Sequence, residues 1–318
     1  MTENQPDRVR AARLAFRDIL ARDGLTVMPG GFSPLYARMA EVIGFECYFV
    51  AGSQMSSFLY GVPDTGIMGL RDIVDHARHV AARTDIPIFL DADTGFGNAV
   101  NVHYAVQEII RSGVAGLQIE DQEAPKKSGT SAGRRCIGTE EAVGKIRAAV
   151  AARDEIAPDF VICARTDLIG SEGGGYEQAV ERCIAFVENG GADFVWLGSV
   201  ETREQLAEAC ERIPAPVLAL WGGGAPAPTL EEYEALGVRI ALYPVVAAKA
   251  GLEASWQVMN DLKERGTPAL DDWNKSCSES RWGRADAQLL HGAEKIRELE
   301  ENFLTEDAQR DYDSTWGH

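Results

Sequence analysis

Acidic side chains end two successive apolar runs of the sequence. Asp91 and Asp93 end the run that starts at Ile86, and Glu120 ends the next one. Side chains alternate along a strand, so Asp91 and Asp93 should share one face. Carboxylates this close repel unless a cation lies between them, and Mg²⁺ or Mn²⁺ suits hard oxygen ligands with room for water. The pattern predicts a metal site; the alternative is that some of these acids cap helices or pair with arginine.

An arginine stands at the end of the following run. The segment Cys163-Ala164-Arg165-Thr166-Asp167 puts Arg165 next to the predicted acidic cluster. A planar guanidinium binds a carboxylate through two parallel hydrogen bonds and stays charged at any working pH. Arg165 is therefore predicted to hold a substrate carboxylate. The alternative, a structural salt bridge to Asp93 or Glu120, does not exclude that role.

A long polar segment follows Glu120. It runs from Glu123 to Thr139 and contains Lys126-Lys127-Ser128-Gly129-Thr130. Such a segment beside an active site can act as a lid that excludes water and brings in a side chain. The segment is therefore a candidate lid, and the alternative is an ordinary solvated surface loop.

These residues need a scaffold that gathers strand ends, and the chain alternates short β-rich runs with helical stretches. The runs are Leu25–Gly30, Cys47–Ala51, Ile86–Asp93, Ala115–Glu120, Phe160–Thr166, Phe194–Leu197, Pro216–Leu220 and Arg239–Tyr243. From Ala99 to Ser112, apolar residues recur on one face of a helix. Eight strand-helix units predict a (β/α)8 TIM barrel, whose reactive groups sit at the carboxyl ends of the strands. A doubly wound open sheet is the alternative, but no GxGxxG follows the first run.

The barrel is predicted to occupy residues 1–250, with an extra helix, Val9–Arg22, before its first strand. Residues 251–318 are predicted to form a C-terminal helical segment outside the barrel. The segment cannot bury all of its tryptophans by itself: Trp256, Trp273, Trp282 and Trp316. Because apolar surface of this kind commonly packs on another subunit, the segment is predicted to serve oligomer packing.

The composition excludes several classes of function. With 31 basic and 49 acidic side chains in 318 residues, the formal net charge is −18, which disfavours binding to nucleic acids and anionic membranes. The N-terminus lacks the apolar core of a signal peptide, and no window approaches the ~18 apolar residues of a membrane span. A cytoplasmic protein without nucleic-acid or membrane partners is predicted, with its six cysteines as reduced thiols.

Four motifs stand out along the chain: Gly61-Val62-Pro63-Asp64, Asp91-Ala92-Asp93-Thr94-Gly95-Phe96-Gly97, Ile119-Glu120-Asp121-Gln122 and Ala164-Arg165-Thr166-Asp167. Together they resemble the isocitrate lyase/phosphoenolpyruvate mutase superfamily. Other segments are similar to the methylisocitrate and 2,3-dimethylmalate lyases and to oxaloacetate decarboxylases. The resemblance implies a barrel with a swapped C-terminal helix, usually a homotetramer that is a dimer of dimers. It also implies a bound Mg²⁺ and a small carboxylic acid substrate.

The resemblance implies roles for individual residues as well. The metal, bound directly or through water, would be held by three acids: Asp91, Asp93 and Glu120. Asp64 would stand behind them as a catalytic residue, and Arg165 would hold the substrate carboxylate. Further substrate contacts would come from Ala51, Gly52, Ser53, Asp91 and Gly129.

The lid departs from the pattern of the lyases that it resembles. Those lyases carry Lys-Arg-Cys-Gly-His there, and the cysteine protonates the departing carbanion; Ser128 stands at its place and is the predicted catalytic residue of the lid. A hydroxyl is a much weaker acid than a thiol. Phe49 replaces a tyrosine of the methylisocitrate lyases, and Gly198 replaces a glutamate.

Together these features predict an Mg²⁺- or Mn²⁺-dependent carbon–carbon lyase. Its substrate would be a small 2-hydroxy or 2-oxo di- or tricarboxylic acid of the methylisocitrate or dimethylmalate type. The metal and Arg165 would stabilise a pyruvate-type enolate. Three alternatives remain: an oxaloacetate-type decarboxylase, a C–C or C–P hydrolase or phosphonomutase, and a barrel that only binds. Decarboxylation stays open because it demands less of a lid acid.

Overall fold

The computed structural model describes residues 5–279, 290, 292, 294–311 and 314 of the chain. The chain divides into two compact units, Met1–Ala250 and Gly251–His318, and each is considered by itself. Among the described residues, no helix combines the length and the apolar character that a bilayer crossing requires. Trp282 and Trp316, two tryptophans of the predicted packing segment, lie outside the described residues.

The first unit is a closed barrel of parallel strands that follow one another in sequence order. The strands are β1 (Thr26–Gly31), β2 (Tyr48–Val50), β3 (Ile88–Asp91), β4 (Gly116–Glu120), β5 (Val161–Thr166), β6 (Phe194–Leu197), β7 (Val217–Ala219) and β8 (Ile240–Tyr243). Each coincides with one of the predicted runs, give or take a residue or two at its ends. The predicted (β/α)8 barrel is therefore confirmed.

Helices alternate with these strands. The described helices of the first unit are α1 (Gln5–Ala21), α2 (Pro34–Ile43), α3 (Gly52–Leu59), α4 (Leu70–Ala81), α5 (Ala99–Arg111), α6 (Thr139–Ile156), α7 (Tyr176–Glu188), α8 (Arg203–Arg212) and α9 (Leu230–Ala235). The periodic stretch predicted as a helix is α5. Asn98 caps it, because its side chain accepts hydrogen bonds from Val100 N at 3.0 Å and Asn101 N at 3.3 Å. The predicted N-terminal helix is α1, which begins earlier, at Gln5.

Apolar side chains fill the inside of the barrel. Phe16 of α1 contacts Phe89 and Phe194, with ring centroids 5.6 and 5.9 Å away, and all three rings are buried. Gly116 makes room for Phe16, since a Cβ there would lie 3.0 Å from its ring and 2.8 Å from Val161 O. Because Gly116 begins β4, α1 closes the amino end of the barrel interior. The carboxyl end is left for polar side chains.

The described part of the second unit is mainly helical. α10 (Val246–Arg265) begins in the first unit and continues into the second, which also contains α11 (Thr267–Glu279) and α12 (Glu294–Phe303). Trp256 and Met259 of α10 are 69% and 70% exposed. Neighbouring exposed apolar side chains of this size commonly mark an interaction surface. The role of this segment in oligomer packing stays a prediction.

Candidate active site

A cavity of about 230 Å³ opens at the carboxyl ends of the barrel strands. Residues that follow β4, which we call the lid (residues 123–139), form part of its wall. Most of the predicted site residues line it: Ala51, Ser53, Asp64, Asp91, Ser128, Gly129 and Arg165. The others stand behind this wall and contact residues that line it: Gly52, Asp93 and Glu120. The structure therefore gathers all the predicted site residues at one end of the barrel.

Asp91 ends β3, and both of its carboxylate oxygens are held in place. Oδ2 accepts a hydrogen bond from Gly52 N at 3.0 Å, and Oδ1 accepts one from Asp93 N at 3.1 Å. The side-chain amide of Gln118 also donates to Oδ1. A Cβ at residue 52 would lie 3.0 Å from Oδ2, so a glycine is needed for this close approach. Gly52 thus positions Asp91 beside the cavity.

Asp93 lies in a turn and not in a strand. β3 ends at Asp91, and the φ of Asp93 is +48°, in the left-handed region. Gly95 N donates to Ala92 O at 2.9 Å and closes the turn, while Glu120 N donates to Asp93 O at 2.9 Å. The prediction that the strand reaches Asp93 is therefore wrong. The turn, and not strand alternation, sets the direction of this carboxylate.

A lid lysine lies among the acids. Lys126 Nζ makes ion pairs with Asp93 Oδ1 at 2.8 Å and with Asp64, and its side chain is buried. Burial, followed by repulsion from Asp91, raises the pKa of Asp93 to about 6, although Lys126 acts in the opposite direction. Burial also acts to lower the pKa of Lys126, but attraction to Glu120 and Asp93 outweighs it and raises that pKa. The ammonium group therefore supplies part of the positive charge that the cluster requires.

The surroundings of Glu120 fit a further cation. Its Oε1 is buried and has no hydrogen-bond partner among the described residues. Burial raises the pKa of Glu120 well above its ordinary value, although Arg165 and Lys126 oppose the change. In the described part of the chain, no group of three or more His, Cys, Asp or Glu side chains is arranged so that it could hold a metal ion by itself. Since Mg²⁺ commonly takes one or two carboxylates and keeps several waters, the acids fit a hydrated divalent ion.

The side chain of Arg165, which we call the clamp, is held in place by several contacts. Its Nε and Nη2 donate to Asp167 at 2.9 and 2.8 Å, Nη1 lies 3.1 Å from Glu120 Oε2, and the guanidinium carbon stands 4.3 Å from the centroid of the Trp196 ring. Burial acts to lower the pKa of Arg165, but Asp167 and Glu120 outweigh it and raise the pKa. Because Asp167 uses two of the five guanidinium N–H groups, donors remain for a substrate carboxylate.

A hydrogen-bond network joins the clamp to the lid. Gln122 Nε2 donates to Asp167 Oδ2 at 2.6 Å and to Lys127 O at 2.9 Å, and Lys127 N donates back to Gln122 Oε1 at 3.0 Å. Asp121 accepts hydrogen bonds from Asp167 N at 2.9 Å and from Arg182 Nη1 at 2.7 Å. None of these five residues is among the predicted site residues. Asp121, Gln122 and Asp167 belong to the family motifs, which was the available signal for them, whereas Arg182 lies outside every motif, in α7.

The lid lies directly on the clamp. A Cβ at Gly129 would stand 2.5 Å from Arg165 Nη2, and the neighbouring Ser128 lines the cavity. Cys136, the thiol of the lid, is not among the described residues that line the cavity. Burial, followed by repulsion from Asp121, raises the pKa of Cys136 to about 12, which makes it a weak acid. Ser128 is favoured over Cys136 by position alone, because it lines the cavity and Cys136 does not.

The two substituted positions, Gly198 and Phe49, also lie at the site. A Cβ at Gly198 would lie 2.5 Å from Asp167 Oδ1 and 2.9 Å from Thr166 O, so no side chain fits there unless Asp167 moves. Phe49 lines the cavity and meets Trp196 edge-on, with centroids 5.9 Å apart. The carboxylate of Asp167 thus fills the space that a glutamate at residue 198 would need.

Gly129→Ala should hold the lid away from the clamp, since its methyl group would collide with Arg165 Nη2. We expect kcat/KM to fall by about tenfold or more. Limited trypsin digestion should cut faster after Lys127. Gly138→Ala is the matched control, because a Cβ there meets no atom within 4 Å. Equal activity and equal digestion of the two variants would contradict a closed lid.

Comparison with known proteins places the chain in a family. The family described as phosphoenolpyruvate phosphomutase matches residues 16–263. A 2,3-dimethylmalate lyase from Eubacterium barkeri is 36% identical over 291 residues, which cover 91% of this chain and 97% of that protein. The chain belongs to the phosphoenolpyruvate mutase/isocitrate lyase superfamily. A 2-methylisocitrate lyase from Aeropyrum pernix is 37% identical over 256 residues, which cover 80% of each chain.

Solved structures in the superfamily share the fold. Oxaloacetate acetylhydrolase in complex with the inhibitor 3,3-difluorooxalacetate has a TM-score of 0.83 at 29% identity, covering 95% of this chain and 99% of that one. Phosphonopyruvate hydrolase in complex with oxalate and Mg²⁺ has a TM-score of 0.77 at 30% identity, covering 94% of this chain and 99% of that one. The predicted family is confirmed, as is the predicted enzyme class, a carbon–carbon lyase of this superfamily.

Proposed function

We propose that the protein is a divalent-metal-dependent lyase that cleaves a carbon–carbon bond of a small 2-hydroxy or 2-oxo di- or tricarboxylic acid. The observation that carries this proposal is the contact of Arg165 with Glu120 in one buried site beside Asp91. A carboxylate held by Arg165 would place the adjacent oxygen-bearing carbon next to these acids. Mg²⁺, with Mn²⁺ as the alternative, is the proposed metal.

When bound, the metal would polarise the oxygen on the carbon next to the clamped carboxylate. Arg165 orients the substrate, the closed lid excludes water, and Asp64 beside Lys126 is the proposed acceptor of the substrate hydroxyl proton. As a 2-hydroxy acid loses that proton, the C2–C3 bond breaks, its electron pair moves to C3, and C3 takes up a proton from the lid side. A 2-oxo acid that loses its distal carboxylate would give a pyruvate-type enolate instead.

Ser128→Ala tests the lid hydroxyl as the group that delivers this last proton. We expect kcat to fall by roughly 10²-fold with little change in KM, because a positioned proton donor acts on the transition state and not on substrate binding. Ser131→Ala, which changes an exposed hydroxyl of the same lid, is the control. A loss below about threefold would leave the lid as a water barrier and favour decarboxylation.

Hydrolysis or decarboxylation of a 2-oxo acid such as oxaloacetate is the second candidate. Two observations favour it: the lid carries Ser128 in place of a more acidic thiol, and the chain is similar to oxaloacetate acetylhydrolase. The products separate the reactions, because a lyase gives a 2-oxo acid and a second acid, a decarboxylase gives pyruvate and CO₂, and a hydrolase gives oxalate and acetate from oxaloacetate. Product identification by proton and carbon NMR decides among them.

We also propose that residues 251–318 pack between copies of the chain in a homotetramer. The support is the exposure of Trp256 and Met259 on α10, which a packing partner would relieve. Light scattering should give the mass of four chains. Trp256→Ser together with Met259→Ser should shift the mass toward smaller species, and a monomeric wild-type protein would contradict the proposal.

A further inference from the structure

Ser199 is a cavity residue with an unusual backbone. It follows β6, lines the cavity and has a φ of +61°, a conformation that residues with a side chain adopt only at a cost. Gly222, after β7, makes room for it, since a Cβ there would lie 3.0 Å from Ser199 Cα. A strained serine kept at a cavity wall indicates that its hydroxyl has a use there.

A buried cation stands behind this hydroxyl. Arg134, at the far end of the lid, is 6% exposed, and its Nη1 donates to Ser199 Oγ at 3.3 Å. Its Nη2 donates to Ile169 O at 3.0 Å, and its Nε has no hydrogen-bond partner in the described part of the chain. No carboxylate among the described residues forms an ion pair with Arg134. A buried positive charge without a counter-ion is costly, so an anion nearby would stabilise it.

The geometry directs the Ser199 hydroxyl toward a ligand. Because Ser199 Oγ accepts a hydrogen bond from Arg134, its own hydrogen stays free to be donated. Of the described side chains that line the cavity, the basic ones are Lys126 and Arg165, and both already face acids of the protein. Because those two cations already face acids, the pair of Ser199 and Arg134 is where a second negative charge of the substrate would be favoured.

We infer that Ser199, backed by Arg134, binds a second carboxylate of the substrate, apart from the one held by Arg165. This inference rests on the proposed function, since it assumes that the cavity takes a 2-hydroxy or 2-oxo acid. It selects dicarboxylic acids over monocarboxylic acids of the same shape. The inference also explains why Ser199 keeps its positive φ, and why a glycine stands at residue 222, which closely approaches Ser199 at the cavity wall.

The test compares two ligands that differ only at the second carboxylate: 2-methylmalate and 2-hydroxy-2-methylbutyrate. Calorimetry of the full chain with MgCl₂ gives both Kd values, and we expect the wild-type protein to bind 2-methylmalate at least about 30-fold more tightly. Ser199→Gly should reduce that preference by about tenfold or more, while the melting temperature stays equal or rises because the left-handed strain is removed. Ser131→Gly, in the exposed part of the lid, is the control.

Arg134→Met should reduce the preference in the same direction, whereas Arg135→Met, which changes the exposed neighbour, should not. An unchanged preference in Ser199→Gly, equal binding of the two acids by the wild-type protein, or no binding of 2-methylmalate would each overturn the inference. A lower melting temperature with equal weakening of both ligands would show a structural role for Ser199 instead. Cleavage of a substrate panel, followed by NMR, tests the proposed function separately, so either idea can fail alone.

Discussion

Arg165→Ala should lower kcat/KM by roughly 10³-fold or more, the largest effect expected of any single substitution. The variant loses the two parallel hydrogen bonds that Arg165 is proposed to donate to the substrate carboxylate. It also leaves the carboxylates of Asp167 and Glu120 buried without the cation that stands 2.8 and 3.1 Å from them, a change that costs about 3–5 kcal/mol in buried pairs. Steady-state kinetics and a thermal melt of the same sample separate lost catalysis from lost stability.

Two variants make this result specific. Arg165→Lys keeps the positive charge but loses the planar guanidinium group that makes two parallel hydrogen bonds. This variant should be more stable than Arg165→Ala, and its kcat/KM should still be about 10²-fold lower than that of the wild-type protein. Arg212→Ala removes a guanidinium that pairs with Glu177, Glu181 and Glu208 at the surface, and should leave activity unchanged. A folded Arg165→Ala protein with wild-type kcat/KM would remove the clamp from the mechanism.

Glu120→Gln should have the second largest effect, because it removes a buried charge without changing the shape of the side chain. The neutral amide pairs poorly with Arg165 and no longer attracts a divalent ion. We expect the affinity for Mn²⁺, measured by electron paramagnetic resonance, to fall by about 10- to 100-fold, with turnover falling by about 10²-fold. Electron paramagnetic resonance reports metal binding independently of catalytic activity.

Glu123→Gln is the matched control, since Glu123 begins the lid and is exposed. Its metal affinity and turnover should equal those of the wild-type protein. If Glu120→Gln bound Mn²⁺ as tightly as the wild-type protein, Glu120 would serve only as a partner of Arg165. The metal would then have to rely on Asp91 and Asp93 alone.

The residues that the sequence places correctly are those whose position depends on local order. Asp91 ends β3 and Arg165 is the last but one residue of β5, and the rule that strand ends gather at one face of a barrel is enough to bring them together. The apolar runs also predict the strands and their parallel pairing, because continuous buried runs between helices favour such pairing. Asp93 shows the limit, since β3 ends at Asp91 and the chain enters a turn with positive φ that the sequence pattern does not reveal.

The residues that escape prediction are placed by contacts between distant parts of the chain. Lys126 reaches the acids only because the lid folds back over them. No local sequence pattern predicts the position of a flexible side chain in a loop. Gln122 and Asp167 are joined across a sequence separation of 45 residues. Ser199 and Arg134 meet in the same way, over 65 residues. Such pairs follow from the packing of the loops and not from periodicity.

Proton NMR of the purified protein against a panel of small acids, with Mg²⁺ and then with EDTA, tests the central claim most directly. The panel contains 2,3-dimethylmalate, 2-methylisocitrate, oxaloacetate and phosphonopyruvate. We expect pyruvate and a second acid to appear from at least one 2-hydroxy acid, to stop with EDTA and to resume when excess Mg²⁺ is added. Cleavage that continues unchanged in EDTA, or no change in any member of the panel with Mg²⁺ present, would contradict a metal-dependent carbon–carbon lyase.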